Sequence, residues 1–283
     1  MTAENWNWAA SDGSTPPSVD LRTDIPHPAR MYDYYLGGKD NFPADRAAAA
    51  QVVKLLPSAP AGSRANRRFL GRAVRHVADL GIRQFLDIGT GIPASNNTHE
   101  VAQAAAPDAR VVYVDNDPIV LTHARALLRG TSEGRTAYVD ADFRDPDSIL
   151  GAPQTTELLD FTQPIALLVV ALLHFFKDAD KPAELLARYK EALPPGSMLI
   201  LTHGTGELMD PVIAANIEDT YAKSGLNIVS RKHTEVLGFF DGLELVEPGV
   251  VPVHEWRPDG NEDDRKMTRE EVAGYGGVAV KRT

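Results

Sequence analysis

The sequence predicts a doubly wound α/β fold preceded by a helical extension. Two observations predict it. Short apolar segments alternate with helical patterns from residue 83 onward, and the helical patterns begin at clear N-terminal signals. Such alternation implies right-handed crossovers, and therefore a mostly parallel, Rossmann-like sheet with helices on both faces.

Apolar segments place the strands of this sheet. The predicted strands lie at about 84–88, 110–115, 135–140, 165–171 and 197–202. The run at residues 165–173 is almost unbroken, which is typical of a central strand covered on both faces. Two later segments, residues 243–256 and 274–282, are expected to be strands that add an antiparallel edge.

Three helices are predicted in the first third of the chain. The first begins at Pro28 and ends before Gly37, because proline suits the first turn of a helix and glycine its C-terminal end. The second runs from Pro43 to Leu56. The third is expected to begin with Ser63 as its N-terminal cap.

Later helices are predicted where an aspartate precedes a proline, since the aspartate can cap a helix whose first residue is proline. These pairs are residues 117–118, 145–146 and 210–211. Gly130 and Gly225 are expected to end two of these helices. Ser95 or Asn96 is expected to cap a further helix after the glycine-rich loop at residues 89–91.

The chain is expected to form one compact unit with three regions. Residues 1–20 are polar and lack the basic and apolar parts of a signal peptide, so we expect a disordered tail. Residues 21–82 form the helical extension. Residues 83–283 form the ligand-binding α/β domain.

Composition excludes several classes of protein. The 283 residues include no cysteine, which excludes disulfides and cysteine-based zinc sites and suits the cytoplasm. The longest apolar run is less than half of the roughly 20 residues that cross a membrane. The eight histidines are scattered without ligand spacing, so no metal is expected.

Charge argues against a nucleic-acid partner. The net charge is −10, whereas proteins that bind nucleic acid usually present a basic surface. Residues 63–76 are an exception, with five arginines in fourteen positions. We interpret this stretch as a solvated helix face.

Residues at the ends of the predicted strands are the candidates for ligand binding. In an open parallel sheet, ligands bind beyond the carboxyl ends of the strands. The first strand ends in Asp87-Ile-Gly89-Thr-Gly91 and the second in Asp115. Asp140 and Asp142 follow the third strand, and His174 follows the fourth. Glycine lets the backbone approach a ligand closely, and a carboxylate can accept both hydroxyls of a ribose.

The acidity of these strand ends bears on the choice of cofactor. A dinucleotide would place its pyrophosphate at the glycine-rich loop, where Asp87 would repel it at a cost of about 1 kcal/mol or more. Asp115 and Asp142 add further negative charge to the same edge. A cationic adenosine ligand such as S-adenosylmethionine is therefore favoured, and a nicotinamide dinucleotide remains the alternative.

Longer motifs carry a resemblance to a known family. The sequences DIGTGIPASNNTHEVAQ at residues 87–103 and ARMYDYYLGGKDNFPADR at residues 29–46 resemble the actinobacterial S-adenosyl methyltransferase family, formerly a domain of unknown function within the class I methyltransferases. The resemblance covers nearly the whole chain beyond residue 20. It implies a seven-stranded sheet with an antiparallel last strand, and S-adenosyl-L-methionine as cofactor.

The same resemblance implies roles for particular residues. Asp87, Gly89, Thr90 and Gly91 would line the methionine end of the cofactor. Asp115 would hold the ribose. The adenine would be flanked by Asn116, Asp142 and Phe143. From the N-terminal motif, Tyr32 and Asn41 would bind the cofactor as part of a lid formed by the extension.

The expected chemistry is methyl transfer to an unidentified acceptor. His174 is the first candidate for a general base and His203 the second, because an imidazole titrates near neutral pH. The acidic charge and the bulky helical cover favour a small-molecule acceptor. Two alternatives remain open at this point: an NAD-dependent oxidoreductase and a regulatory protein that binds the cofactor without catalysis. The sequence gives no indication of the oligomeric state.

Overall fold

A computed structural model describes residues 21–120, 122 and 131–282 of the chain. Its centre is one eight-stranded sheet with the order β3-β2-β1-β4-β5-β8-β6, and β7 also pairs with β8. The strands are β1 Gln84–Ile88, β2 Arg110–Asp115, β3 Arg135–Asp140, β4 Ala166–Val170, β5 Met198–Gly204, β6 Glu244–Leu245, β7 Val251–Pro252 and β8 Gly274–Val280.

Strands β1 to β5 pair in parallel, and β8 runs antiparallel to β5. The predicted fold class and antiparallel edge are confirmed, but the predicted count of seven strands is wrong. The segment at 243–256 forms two separate two-residue strands, β6 and β7, on the same side of β8. Pro248 and Pro252 lie in this segment and lack the N–H that a continuous ladder needs.

Three helices precede the sheet, at α1 Pro28–Leu36, α2 Pro43–Leu55 and α3 Ala59–Asp79. The first two match the prediction. The third begins four residues before Ser63, so the predicted cap is wrong. Ser63 instead lies inside the first turns, where its hydroxyl donates to the carbonyl of Ala59 at 2.9 Å. Pro60 occupies the first turn, a position that proline tolerates.

The remaining helices follow or separate the strands. They are α4 Thr98–Ala105, α5 Pro146–Leu150, α6 Pro153–Leu158, α7 Pro182–Ala192, α8 Pro211–Lys223, α9 His233–Gly238, α10 Glu262–Lys266 and α11 Arg269–Val272. Asp145 and Asp210 accept hydrogen bonds from backbone N–H groups of α5 and α8, which confirms their capping roles. Asn97, and not Ser95 or Asn96, is the N-terminal cap of α4.

Two expected features of the chain fall outside the described residues. The helix predicted after the Asp-Pro pair at 117–118 is described only at its first residues, and its expected terminator Gly130 is not described. The expected disordered tail, residues 1–20, is likewise outside them. Gly225 follows α8 with a φ of 74°, in the left-handed region where glycine ends helices.

The sheet is buried on both faces. Successive residues of a strand point to opposite sides, so Phe85 of β1 packs in one cluster with Phe69 of α3, and Leu86 in another with Ile149 of α5. Helices α1 and α2 belong to a third cluster, in which Met31, Tyr35, Ala48, Ala49 and Val52 pack against Ile217 and Tyr221 of α8. In the described part of the chain, no helix combines the length and apolarity needed to cross a membrane.

Candidate active site

The glycine-rich loop follows β1 at the carboxyl edge of the sheet. Gly89 and Gly91 have φ values of 73° and 69°, which L-residues with a side chain rarely adopt. The Gly89 N–H donates to the carbonyl of Val114 at 2.8 Å, which ties the loop to β2. A Cβ atom at Gly89 would lie 2.7 Å from Cδ1 of Leu172, the far end of a flexible side chain, so the loop requires glycine chiefly for its positive φ.

Asp115 ends β2 beside this loop and is 7% exposed. Its Oδ2 accepts from the Gly91 N–H at 2.8 Å, and its Oδ1 accepts from the Asp117 N–H at 2.9 Å. Burial raises the pKa of Asp115 to about 6, although these hydrogen bonds favour the ionised form. Each oxygen keeps a lone pair that a ligand hydroxyl can use.

Asp87 is buried one strand away, where its Oδ2 accepts from the Thr98 hydroxyl at 2.6 Å. Burial raises the pKa of Asp87 to about 6, while the Thr98 hydrogen bond and the nearby Arg67 guanidinium act in the opposite direction. A positively charged ligand group next to Asp87 would offset the cost of keeping this carboxylate ionised.

Asn116 and Asp142 lie together at the ends of β2 and β3. The Asn116 side chain donates to Asp142 Oδ2 at 2.9 Å, and the Arg144 guanidinium donates to both oxygens of Asp142. Partial burial raises the pKa of Asp142, but the hydrogen bonds from Arg144 outweigh it and hold the pKa below its usual value. The adjacent Phe143 ring stacks on Tyr189 with 5.2 Å between ring centroids.

All predicted cofactor residues except Asn41 line one cavity of about 460 Å³, which we call the cofactor cavity. They are Tyr32, Asp87, Gly89, Thr90, Gly91, Asp115, Asn116, Asp142 and Phe143. Asp140, the other carboxylate considered after the third strand, is exposed and does not line this cavity.

Asn41 and Tyr32 are both held by hydrogen bonds within the protein. The Asn41 amide donates to Asp33 Oδ2 at 2.7 Å and its backbone carbonyl accepts from Arg46, and Asn41 does not line the cofactor cavity. The Tyr32 hydroxyl donates to the Ser63 carbonyl at 3.0 Å and accepts from the Asn66 amide. These bonds join α1 to α3 at the wall of the cavity.

Arg67 is a site residue that the sequence interpretation missed. It lines the cofactor cavity, and its Nη2 donates to the carbonyls of Ser95 and Asn96 at 3.1 and 3.0 Å. Its Nε is buried and has no hydrogen-bond partner within the residues that the structure describes. Arg67 belongs to the stretch interpreted as a solvated face, yet helical spacing puts it on the buried side with Leu70 and Val74. This helical spacing is the feature of the sequence that could have identified Arg67 as a site residue.

Arg30 fastens α1 beside the end of β2. Its Nε and Nη2 donate to the two oxygens of Asp117 at 2.9 and 3.1 Å, and Arg30 is only 2% exposed. The carboxylate of Asp117 also accepts from the Ile119 N–H at 3.0 Å. The helical extension is therefore attached two residues from Asp115.

A second cavity of about 180 Å³ adjoins the first, and we call it the acceptor cavity. His174 and His203, the predicted catalytic candidates, both line it. The two cavities share five lining residues: Pro28, Tyr32, Asn66, Ala171 and Phe175. The structure thus brings both histidines to a space that meets the cofactor cavity along one wall.

The hydrogen bonds of the histidines fix their protonation. His174 Nδ1 accepts from the Gly204 N–H at 3.1 Å, so the neutral ring carries its proton on Nε2. His203 Nε2 accepts a hydrogen bond from the Arg231 guanidinium at 3.1 Å, and His203 Nδ1 donates to the Gly204 carbonyl at 2.6 Å. Burial lowers the pKa of His174 well below its usual value and that of His203 to about 4.

This arrangement argues against the predicted role of either histidine as a general base. Neither ring has a free lone pair facing a substrate, because one nitrogen of each accepts from the protein and the other carries the proton. The lowered pKa values also make both rings poor proton acceptors at neutral pH.

Comparisons with known proteins bear on this geometry. The model of the S-adenosyl methyltransferase family matches residues 14–282. A DUF574 family protein from Streptomyces avermitilis MA-4680 is similar at 50% identity with a TM-score of 0.89, over 92% of this chain and 99% of that one. A protein from Thermobifida fusca YX, proposed to be a methyltransferase, is similar at 40% identity with a TM-score of 0.85, over 95% and 100%.

More distant similarity concerns the fold alone. The plantazolicin methyltransferase BpumL, solved with a desmethylPZN analog and S-adenosylhomocysteine, is 12% identical with a TM-score of 0.51 over 90% of this chain and 96% of that one. No curated protein matches the sequence significantly. The family match over nearly the whole chain agrees with the glycine loop and the acidic strand ends, and no finding supports a nicotinamide cofactor. The chain belongs to the S-adenosyl methyltransferase family and is an enzyme that uses S-adenosyl-L-methionine (SAM) as its cofactor.

Proposed function

We propose that the protein transfers the methyl group of SAM to a small molecule bound in the acceptor cavity. The observation that carries this proposal is the shared wall of the two cavities, formed by Pro28, Tyr32, Asn66, Ala171 and Phe175. Methyl transfer is an in-line displacement, so the acceptor atom has to approach the methyl carbon from the side opposite the sulfur. Two adjoining cavities permit that alignment.

The residues of the cofactor cavity fit SAM. Asp115 offers lone pairs for the ribose hydroxyls, and Asn116 with Asp142 offers polar groups for the adenine edge. Asp87 suits the amino group of the methionine part, and the Arg67 guanidinium, which lines the same cavity, suits its carboxylate. When bound, SAM supplies an electrophilic methyl group on a sulfonium.

The protein's own contribution is alignment and exclusion of water. We propose that the extension, residues 21–82, acts as a lid that forms one unit with residues 83–283. Helices α1 and α2 pack on α8, and Tyr35, Val52 and Tyr221 from these helices line the acceptor cavity. An apolar cover of this kind keeps water away from the reacting atoms.

A small-molecule acceptor is favoured by size and charge. A cavity of about 180 Å³ holds only a small ligand. The net charge of −10 opposes binding to DNA or RNA, and three of the five clustered arginines are occupied inside the protein. A cytoplasmic location, expected from the lack of cysteine, stays a prediction.

Calorimetry and turnover test this proposal. We expect SAM and S-adenosylhomocysteine to bind, and NAD to give no heat of binding. Transfer of isotope-labelled methyl groups should then be measured across a library of small molecules, with tRNA and DNA as comparison substrates. Binding of NAD without binding of SAM would refute the proposal. Binding of SAM with no methyl transfer to any acceptor would favour the alternative of a non-catalytic regulatory protein.

A further inference from the structure

The acceptor cavity is sized for one small ring system. Its volume of about 180 Å³ is close to that of an apolar cavity of roughly 150 Å³ that binds benzene. Most of its wall is apolar or aromatic, including Tyr35, Val52, Leu56, Phe175, Ile217 and Tyr221. A flat, largely apolar ligand matches such walls better than a flexible polar chain does.

One buried polar group in this cavity has an unused hydrogen-bond donor. His174 is 8% exposed, and its Nδ1 accepts from the Gly204 N–H, so Nε2 carries the proton. Nε2 makes no hydrogen bond to any residue in the described ranges. The Nε2 atom is open to the acceptor cavity, so a carbonyl or similar group on a ligand can accept a hydrogen bond from it.

Arg231 holds the two histidines in this state. It is 5% exposed and donates to His203 Nε2, to the Leu173 carbonyl and to the Phe176 carbonyl. Its positive charge beside His174 and His203 disfavours a proton on either ring. His174 therefore remains a neutral hydrogen-bond donor.

The carboxylates that line the acceptor cavity make its rim negatively charged. Glu218 and Glu271 line the cavity and are exposed to solvent. Among the described residues that line it, none is lysine or arginine. With no lysine or arginine among these lining residues, the two carboxylates disfavour an anionic ligand relative to a neutral or cationic one.

Resting on the function proposed above, we propose that the methyl acceptor is a flat, uncharged or cationic heteroaromatic molecule that accepts a hydrogen bond from His174 and is methylated on a nitrogen lone pair. The nitrogen lone pair forms the new bond to the methyl carbon, the carbon–sulfur bond breaks, and its electron pair stays on sulfur to give S-adenosylhomocysteine. No proton has to be removed before the transfer, so the lack of a base among the histidines is no obstacle.

Three probes with one ring system test the proposal: quinoline-3-carboxamide, quinoline-3-carboxylate and 3-methylquinoline. The carboxamide offers a carbonyl to His174, the carboxylate adds a negative charge, and the methyl compound offers no acceptor. Binding is measured by calorimetry on the protein saturated with S-adenosylhomocysteine, and formation of the 1-methylquinolinium product is measured with SAM by mass spectrometry. We expect the carboxamide to bind about tenfold more tightly than either of the others.

Paired variants identify the groups responsible. His174→Asn keeps an oxygen that can accept from the Gly204 N–H but has no donor at the position of Nε2, whereas His174→Gln can place its amide nitrogen there. We expect His174→Asn to abolish the preference for the carboxamide over 3-methylquinoline and His174→Gln to retain it. The double variant Glu218→Gln/Glu271→Gln should reduce the difference in binding affinity between quinoline-3-carboxamide and quinoline-3-carboxylate.

The outcomes separate this proposal from the proposed function. Equal or tighter binding of the carboxylate, unchanged carboxamide preference in His174→Asn, or no binding of any quinoline to a protein that binds S-adenosylhomocysteine would overturn the acceptor class and leave the methyltransferase function standing. Failure of the protein to bind S-adenosylhomocysteine at all would overturn both.

Discussion

Replacing Asp115 with asparagine tests the assignment of the ribose site. Asp115 accepts hydrogen bonds from the N–H groups of Gly91 and Asp117. An asparagine has one acceptor oxygen, so its NH₂ group must face one of these two donors. It also offers the ribose hydroxyls one acceptor fewer. Hydrogen bonds to a charged group contribute about 1.5–3 kcal/mol, so we expect SAM affinity to fall by about 10- to 150-fold.

The stability of the unliganded Asp115→Asn protein should change much less. Because burial raises the pKa of Asp115 from 3.8 to about 6, ionisation of this carboxyl at neutral pH costs about 3 kcal/mol relative to water. The variant removes that cost, which is already net of the hydrogen bonds to the ionised carboxylate, so its free energy of unfolding should not fall. Loss of affinity without loss of stability is the expected signature.

Calorimetry with SAM and S-adenosylhomocysteine at pH 7.5, together with denaturant unfolding, measures both quantities. Asp140→Asn is the matched control, because Asp140 pairs with Asp115 in register at the end of the neighbouring strand but is exposed and lies outside the cofactor cavity. Wild-type affinity in Asp115→Asn, or an equal loss in Asp140→Asn, would refute the assignment.

Three further predictions concern charge. Arg67→Met should weaken SAM binding by about 10- to 100-fold in calorimetry, through loss of a charge-assisted bond to the cofactor carboxylate. Because the pKa values of Asp87 and Asp115 are raised to about 6, the unliganded protein holds these protons at pH 5, and SAM binding there should be weaker by about tenfold per carboxyl than at pH 7.5. Arg30→Met should lower the free energy of unfolding by about 3–5 kcal/mol in denaturant titrations, because Asp117 is left as a buried charge without its guanidinium.

Each of these predictions has its own control. Arg64→Met changes an exposed residue of the same helix and should leave SAM affinity intact; equal weakening in both arginine variants would contradict the role of Arg67. For the pH effect, titrations at pH 6 in two buffers of different ionisation enthalpy should show proton release on binding. Because the pKa values of Asp87 and Asp115 are higher in the folded protein than in the unfolded chain, these carboxyls favour folding at low pH. This contribution to the free energy of unfolding is lost as pH rises from about 4 to 6. For Arg30→Met, a decrease of less than about 1 kcal/mol in the free energy of unfolding would mean that the ion pair with Asp117 contributes little to stability.

Local signals in the sequence were enough for the parallel sheet and most of the cofactor cavity. Aspartates at 87, 115 and 142 and glycines at 89 and 91 lie at or just beyond the carboxyl ends of apolar strands, and parallel strands bring these ends to one edge. The residues at that edge could be predicted because hydrophobic periodicity and polarity are properties of short segments of sequence.

Other features depended on contacts between distant parts of the chain. Arg67 lies on the buried side of α3, but only the packing of α3 beside the glycine-rich loop places it at Asp87. Asn41 belongs to a motif that carries the family resemblance, yet its amide binds the Asp33 carboxylate and it does not line the cofactor cavity. The roles of His174 and His203 were inferred from residue type, whereas the Gly204 backbone and the Arg231 charge decide which nitrogen holds the proton.

Asp117 connects helix α1 to Asp115, the residue proposed to bind the ribose. Its N–H donates to the Asp115 carboxylate, while its own carboxylate holds Arg30 of α1. With Asp115 as the proposed ribose ligand, we expect the affinity for SAM and the local stability of α1 to be thermodynamically linked. Linkage is reciprocal, so any free energy that the docked helix adds to SAM binding is also added by bound SAM to the docking of the helix. Backbone amide hydrogens of α1 should therefore exchange more slowly with solvent when SAM is bound, although α1 donates no backbone N–H to Asp115.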